Sequence, residues 1–171
     1  MEIGTAVLSD ERVSRACGGD RAALDGLIQE WQPVLYAAAL RLLAYRHHDA
    51  EEAVQETWVQ VCDSIAALRE PARWAAWIHR ILRNVCFKRR GREKRPLPDR
   101  PPAATAEPAD LRPLARAIQS MPDAYREAVI LRYLQKMEYA QIADVLDIAV
   151  GTAKSNVHRG LAWLEKHLTK E

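Results

Sequence analysis

Five of the nine prolines, Pro96, Pro98, Pro101, Pro102 and Pro108, crowd into the stretch from Gly91 to Asp110, where almost no large apolar residue occurs. Proline lacks the amide proton a helix needs and disfavours helix in the residue before it, so this stretch reads as an extended linker. It divides the chain into units of about 1–90 and 111–171, with 91–110 between them. Each unit then has to build its core from fewer than about 100 residues, which small helical bundles can do.

Helix is the only regular structure the rest of the chain supports. Ala, Leu, Arg, Glu and Gln dominate, and no segment alternates apolar and polar residues between hairpin turns, so the fold class is all-α with two small helical domains. With 49% hydrophobic and 28% charged residues the 171-residue chain has the composition of a folded globular protein. No apolar run approaches the ~18 residues of a membrane span. Glu2, Asp10 and Glu11 do not give the basic-then-apolar order of a secretory signal, so no membrane insertion and a cytoplasmic location are expected. Cys17, Cys62 and Cys86 are odd in number and far apart, which argues against disulfides or a zinc ribbon and for buried thiols. Adjacent His47 and His48 point in different directions on a helix and read as solvated helix-end residues, so no metal or other cofactor is expected.

In the first unit Asp20 is a candidate N-cap for a helix with Leu24, Leu27 and Ile28 inward, and a second helix is expected after Pro33 with Leu35, Ala38, Leu42 and Tyr45 on one face. A third starts near Asp49. Its positions Ala50, Val54, Trp58, Val61, Ile65 and Leu68 repeat every three or four residues, which leaves Glu51, Glu52, Gln55 and Glu56 outside. A fourth follows Pro71, with Trp74, Trp77, Ile78, Ile81 and Val85 buried and Arg73, Arg80, Asn84 and Lys88 along an outer stripe. In the second unit helices are expected over 111–120, over 123 to about 135, and in a compact segment holding Tyr139, Ile142, Ala143, Val145 and Leu146. A turn over Asp147–Val150 leads into a helix over 151–168 with Val157, Leu161 and Leu164 inward. A short helix, a tight turn and a longer helix form a helix-turn-helix pattern.

The net charge of +2 conceals a strong asymmetry. Positions 49–63 carry five acidic residues and no basic one, whereas 73–95 carry nine basic residues and one acidic, Glu93. Opposite signs on neighbouring segments call for different partners, a basic protein surface for the first and a polyanion for the second. Trp74, Trp77, His79 and Phe87 are interleaved with the basic residues, a mixture that suits unstacked single-stranded bases. On the last helix Lys154, Ser155 and His158 share a face near the N-terminal end, where a recognition helix meets base edges, and Thr152 and Arg159 beside them suit phosphates.

The run D-A-E-E-A-V-Q-E-T-W at 49–58 resembles the polymerase-binding helix of the extracytoplasmic-function sigma factors, bacterial members of the sigma-70 family, whose usual form is D-A-E-D-x-V-Q-E-T-F/W. Residues 73–84, R-W-A-A-W-I-H-R-I-L-R-N, are similar to that family's F-R-T-W-L-Y-R-I-A-R-N. Residues 121–133, M-P-D-A-Y-R-E-A-V-I-L-R-Y, and 142–159 resemble its L-P-x-x-x-R-E-V-F-x-L-R-Y and I-A-x-x-L-G-x-x-x-G-T-V-K-S-R-L-x-R. The likeness runs from about Asp20 to Leu168 in the family's order.

The resemblance implies an alternative sigma factor that binds core RNA polymerase and directs promoter-specific initiation without catalysing a reaction itself. It implies that Asp49, Glu52, Gln55 and Glu56 dock on the β′ clamp helices, and that the fourth helix, through Arg73, His79, Arg80, Asn84 and Lys88, takes the minus-ten DNA. It further implies that Thr152, Lys154, Ser155, His158 and Arg159 take the minus-thirty-five DNA, and that the β flap and an anti-sigma factor are additional partners. Several positions depart from the family: Asp147 stands where Gly is common, Ala153 for Val, Asn156 for Arg, His79 for Tyr, and Phe87-Lys88 where an Asp is frequent. Two other readings compete. Ile142 to Arg159 also looks like the output domain of a response regulator, but residues 1–90 show no strands for a receiver. A helical metal enzyme built on His47, His48, His79 or the acidic helix lacks the partners such a site needs.

Overall fold

The computed structural model describes residues 11–43, 46–92 and 112–168, so most of the expected linker, Leu111 and Tyr45 lie outside the described residues. Every regular element among the described residues is helical.

Residues 11–17 form α1 and bury Val13 and Ala16. Gly19, with φ +91°, ends it in the left-handed region open to glycine, and the chain turns directly into α2, Arg21–Leu42. Asp20 is the N-cap: its carboxylate accepts the Ala23 amide at 3.1 Å and is gripped by Arg15 at 2.6 and 2.8 Å. Pro33 does not begin a new helix as the sequence suggested; it sits inside α2. Ala23 and Leu27 before it and Leu35, Ala38, Ala39 and Leu42 after it are buried together. Keeping that apolar face in one phase outweighs the amide bond the exposed proline cannot make.

Helix α3, His47–Ser64, buries Ala50, Ala53, Val54, Thr57, Trp58 and Val61. Trp58 donates its indole N–H to Gln32 at 2.8 Å, tying α3 to α2, and two short 3₁₀ turns, Ile65–Ala67 and Pro71–Arg73, lead into α4, Trp74–Arg92. The three long helices pack pairwise around Leu27, Leu35, Leu43, Val54, Val61, Ile78, Leu82 and Val85.

The second unit begins with α5, Arg112–Ser120, followed by α6, Asp123–Val129, whose continuation over Ile130–Leu134 widens into a π turn. Next come α7, Tyr139–Leu146, and α8, Val150–Leu168. Glu138 and Gln141 form a capping box on α7, and Asp147 leaves it at φ 56°, the left-handed geometry that Asp tolerates where a glycine is usual. Small residues let α6 and α8 approach closely: a Cβ on Gly160 would lie 2.4 Å from Val129 Cγ2 and 3.2 Å from the Tyr125 carbonyl oxygen.

The two units touch. Helix α7 lies along α4, Ile130 belongs to the apolar core of the first unit, and Ala76 of α4 is buried in that of the second. Three expectations for individual residues need correction. Only Cys86 is a buried thiol, pushed up to about 12 chiefly by that burial, whereas Cys17 is half-buried and Cys62 exposed, because Cys62 falls one position beyond inward-facing Val61. Leu161 is 37% exposed, since the close α6 crossing is made by Gly160 next to it. His47 is not a free helix-end residue: its Nδ1 shares a 2.6 Å hydrogen bond with the Tyr36 hydroxyl.

Candidate nucleic-acid interface

Helix α8 presents the simplest candidate surface. Its buried side is Ala153, Asn156, Val157 and Gly160, which places Thr152, Lys154, Ser155, His158 and Arg159 together on the exposed side of its first turns. The Ser155 hydroxyl donates back to the Gly151 carbonyl at 2.9 Å. Asn156 is 8% exposed, so it packs inside the helix-turn-helix. All five candidate residues for duplex DNA therefore share one cationic, hydroxyl-bearing surface at the helix start, the part of a recognition helix that reaches base edges.

On α4 the five candidates divide. Asn84 and Lys88 are exposed. Arg73 and Arg80 turn instead toward the second unit: Arg73 pairs with the Asp144 carboxylate at 2.5 Å, and Arg80 donates to the Asp144 main-chain carbonyl. The pairing with Asp144 raises the Arg73 pKa. His79, expected on the surface, is only 3% exposed; it lies edge-on to Trp31, 6.0 Å between ring centroids, and hydrogen-bonds Gln135. Burial pulls its pKa down to about 4, against the opposing effect of Gln135, so the ring is neutral near pH 7. Trp74 is core, and Trp77, half-buried, stacks at a tilt on it 5.7 Å away. The outer stripe read from periodicity is exposed from Arg73 to Lys88, but its first two members, Arg73 and Arg80, are tied to Asp144 of the second unit.

Beside this contact is a cleft of about 240 Å³ between the 3₁₀ turns and α4, lined by Leu68, Arg69, Glu70, Trp77 and Arg80 and closed by Asp144. Further along α4, Arg83 donates to Glu127 at 2.8 Å and Arg90 to Asp123 at 3.0 Å, with Phe87 under both guanidinium groups, 4.7 and 5.9 Å from its ring centroid. Burial raises the Glu127 pKa in spite of Arg83. Burial likewise lowers that of Arg126, whose partner is Asp123, to about 10.

The acidic helix α3 carries its candidates on one side, but three of them already have partners. Asp49 pairs with Arg46 at 2.8 Å, while Glu52 and Glu56 hold Arg89 of α4 at 2.6 and 3.0 Å. Gln55 is exposed between them. The sequence reading missed Arg89, the cation that fixes these carboxylates, and Asp144, the partner of Arg73 and Arg80. Arg89 was visible only as one member of a basic run, and nothing local distinguishes Asp144.

Residues 27–96 match the family model described as sigma-70 region 2, and residues 111–164 match sigma-70, region 4. The chain is 33% identical to the ECF RNA polymerase sigma factor SigE of Mycolicibacterium smegmatis over 89% of its own length and 65% of that protein's. It is 32% identical to SigM of Mycobacterium tuberculosis over 92% and 83% of the two chains. Among solved structures, the sigma factor RpoE of Bartonella quintana, crystallised with the anti-sigma factor NepR, superimposes with a TM-score of 0.71 at 25% identity, covering 86% of this chain and 97% of that one. Two sigma domains in the family's order, joined through the proline segment and carried on a fold shared with a sigma factor, lead to one conclusion: the chain belongs to the extracytoplasmic-function sigma factors of the sigma-70 family.

Proposed function

We propose that this chain is an alternative sigma factor that binds core RNA polymerase and directs promoter-specific initiation. The observation that carries the reading is the exposed surface of Thr152, Lys154, Ser155, His158 and Arg159 at the start of α8, in a helix-turn-helix that follows a region 2 domain with an acidic helix. In this reading α8 enters the major groove of the minus-thirty-five element, Lys154, Ser155 and His158 reading base edges while Thr152 and Arg159 hold phosphates.

The α3 side bearing Asp49, Glu52, Gln55 and Glu56 docks on the β′ clamp helices, and the second domain on the β flap. Helix α4 takes the non-template strand of the minus-ten element through Arg73, Arg80, Asn84 and Lys88, with His79 supporting from behind. Stacking and hydrogen bonds to an extruded base offset the few kcal/mol of unpairing. The chain supplies binding energy to the melted state and carries out no chemistry of its own. By analogy with the Bartonella quintana sigma factor, crystallised with an anti-sigma factor, such a protein is a further expected partner. Among the described residues no helix is long and apolar enough to cross a membrane.

Run-off transcription with purified core enzyme tests this reading, with start sites first mapped after overexpression. Wild-type protein gives discrete starts, and Lys154→Ala or His158→Ala lowers affinity for the mapped minus-thirty-five sequence by about 1–3 kcal/mol while Arg159→Ala weakens all sequences alike. A protein that neither binds core enzyme nor supports any start would refute it.

A further inference from the structure

Two glutamates one turn apart on a helix surface repel each other, and each keeps its rotamer freedom until something holds it. On α3 Glu52 and Glu56 have that spacing, and both are held. Arg89 of α4 donates from Nη1 to Glu52 Oε2 at 2.6 Å and from Nη2 to Glu56 Oε2 at 3.0 Å, so one planar guanidinium bridges the two carboxylates. A guanidinium more often grips a single carboxylate through two parallel bonds. Here the fork is divided between two acids, and Arg89 Nε is buried with no hydrogen-bond partner among the described residues.

The cation is the most covered of the three, its side chain 27% exposed against 44% for Glu52 and 30% for Glu56. Each glutamate commits Oε2 to Arg89, which leaves Oε1 of both for a further partner. Oε1 of Glu52 lies 3.3 Å from Nε2 of His48, whose side chain is 83% exposed and can be displaced. Toward a basic partner Arg89 then has two opposed effects. It lowers the negative charge of the face, which weakens attraction, and it fixes two long side chains beforehand, which lessens the ordering that docking requires.

We propose that Arg89 is a positioning residue of the polymerase-docking face, setting Glu52 and Glu56 as a preformed pair of acceptors for cations of the core enzyme, and that this orientation outweighs the charge it removes. The inference rests on the assignment of α3 to core docking. Two rotamer-rich side chains fixed in advance correspond to about a tenfold step in affinity. Charge and orientation separate on lysine, a point charge that keeps the cation but lacks the fork and so holds one carboxylate at a time.

The test follows association and dissociation of the full-length protein on immobilised core RNA polymerase, with urea unfolding of each variant alongside. Arg89→Gln binds about tenfold more weakly through faster dissociation, although its more negative face associates at least as fast. Arg89→Lys, which keeps the charge between the helices and decides the matter if Arg89→Gln does not fold, is at least about threefold weaker than wild type. In a Glu56→Gln background one carboxylate remains for the ammonium to hold, and there Arg89→Lys costs less than about twofold. A residue that only stabilised the fold would reduce the amount of protein able to bind, in both backgrounds alike, and would leave the dissociation rate unchanged. Folded Arg89→Gln that binds as tightly as wild type, an Arg89→Lys loss below about threefold, or the same loss in the Glu56→Gln background overturns the proposal. Wild-type protein that fails to bind core overturns the docking assignment and this inference with it, whereas normal wild-type binding with unaffected Arg89 variants overturns this inference alone.

Discussion

Arg83 of α4 and Glu127 of α6 are joined by a 2.8 Å ion pair in which the Glu127 side chain is 5% exposed and that of Arg83 27%. The acid is the deeper partner, and burial raises its pKa although Arg83, Arg126 and Arg90 oppose the shift. A carboxyl with a raised native pKa adds stability when protonated and loses that contribution as pH rises through its native pKa. At neutral pH the native state carries the charge at a cost that Arg83 offsets.

The two partners should therefore respond unequally to mutation. Glu127→Gln keeps an acceptor and removes the buried charge, so it costs below about 1 kcal/mol, whereas Arg83→Ala strands the carboxylate and costs about 1–3 kcal/mol at pH 7. Urea unfolding should also show the Arg83→Ala deficit shrinking as pH is lowered and Glu127, its pKa raised by burial, takes up a proton.

His79 has the opposite pH signature. Its native pKa of about 4, against roughly 6.5 for an unfolded chain, means that the neutral ring's contribution is complete above pH 6.5 and is lost as pH falls toward 4. The full loss is on the order of 3 kcal/mol at 1.36 kcal/mol per unit. His79→Gln should flatten the stability profile between pH 7 and 4.5, and a profile as steep as wild type would assign the loss to other groups.

Gly160→Ala should destabilise the second domain by about 1–3 kcal/mol in spite of alanine's better helix propensity, because the new methyl meets Val129 Cγ2 and the Tyr125 carbonyl. Adding Val129→Ala recovers part of the loss, since the side chain is removed but the backbone oxygen remains. Thermal unfolding of the single and double variants measures both.

On α3 the clean probe of polymerase docking is Gln55, not Glu56. Gln55→Lys should weaken core binding with stability changed by about 0.5 kcal/mol or less. Glu56→Lys should weaken it too, but with added loss of stability, because it sets a lysine beside Arg89. Native gels with core enzyme, read with denaturation curves, separate the two effects.

Asn84, exposed on α4, should matter for melting. In holoenzyme Asn84→Ala slows open-complex formation on duplex promoters, and a promoter pre-melted at the minus-ten element restores most of the rate. Permanganate footprints that match wild type on duplex would remove this role.

Much of the molecule was legible in the chain because its signals are local. Ala50, Val54, Trp58, Val61 and Ile65 recur at helical spacing and are all buried, Asp20 lies at the start of a helix and caps it, and Asp147 turns between α7 and α8. The exposed face of α8 follows from the same periodicity, since its inward residues lie on its own domain. Tertiary structure decided what periodicity cannot express: which surface is already occupied. Arg73 meets Asp144 71 positions away, Arg83 meets Glu127 44 positions away, and Arg89 meets Glu52 37 positions away. Spacing along one helix gives the direction of a side chain but not what another helix brings to it, so His79 looked like surface and is core, and Pro33 looked like a helix start and is helix interior. Burial of a shared apolar face, contributed by residues distant in sequence, settles such cases over local preference.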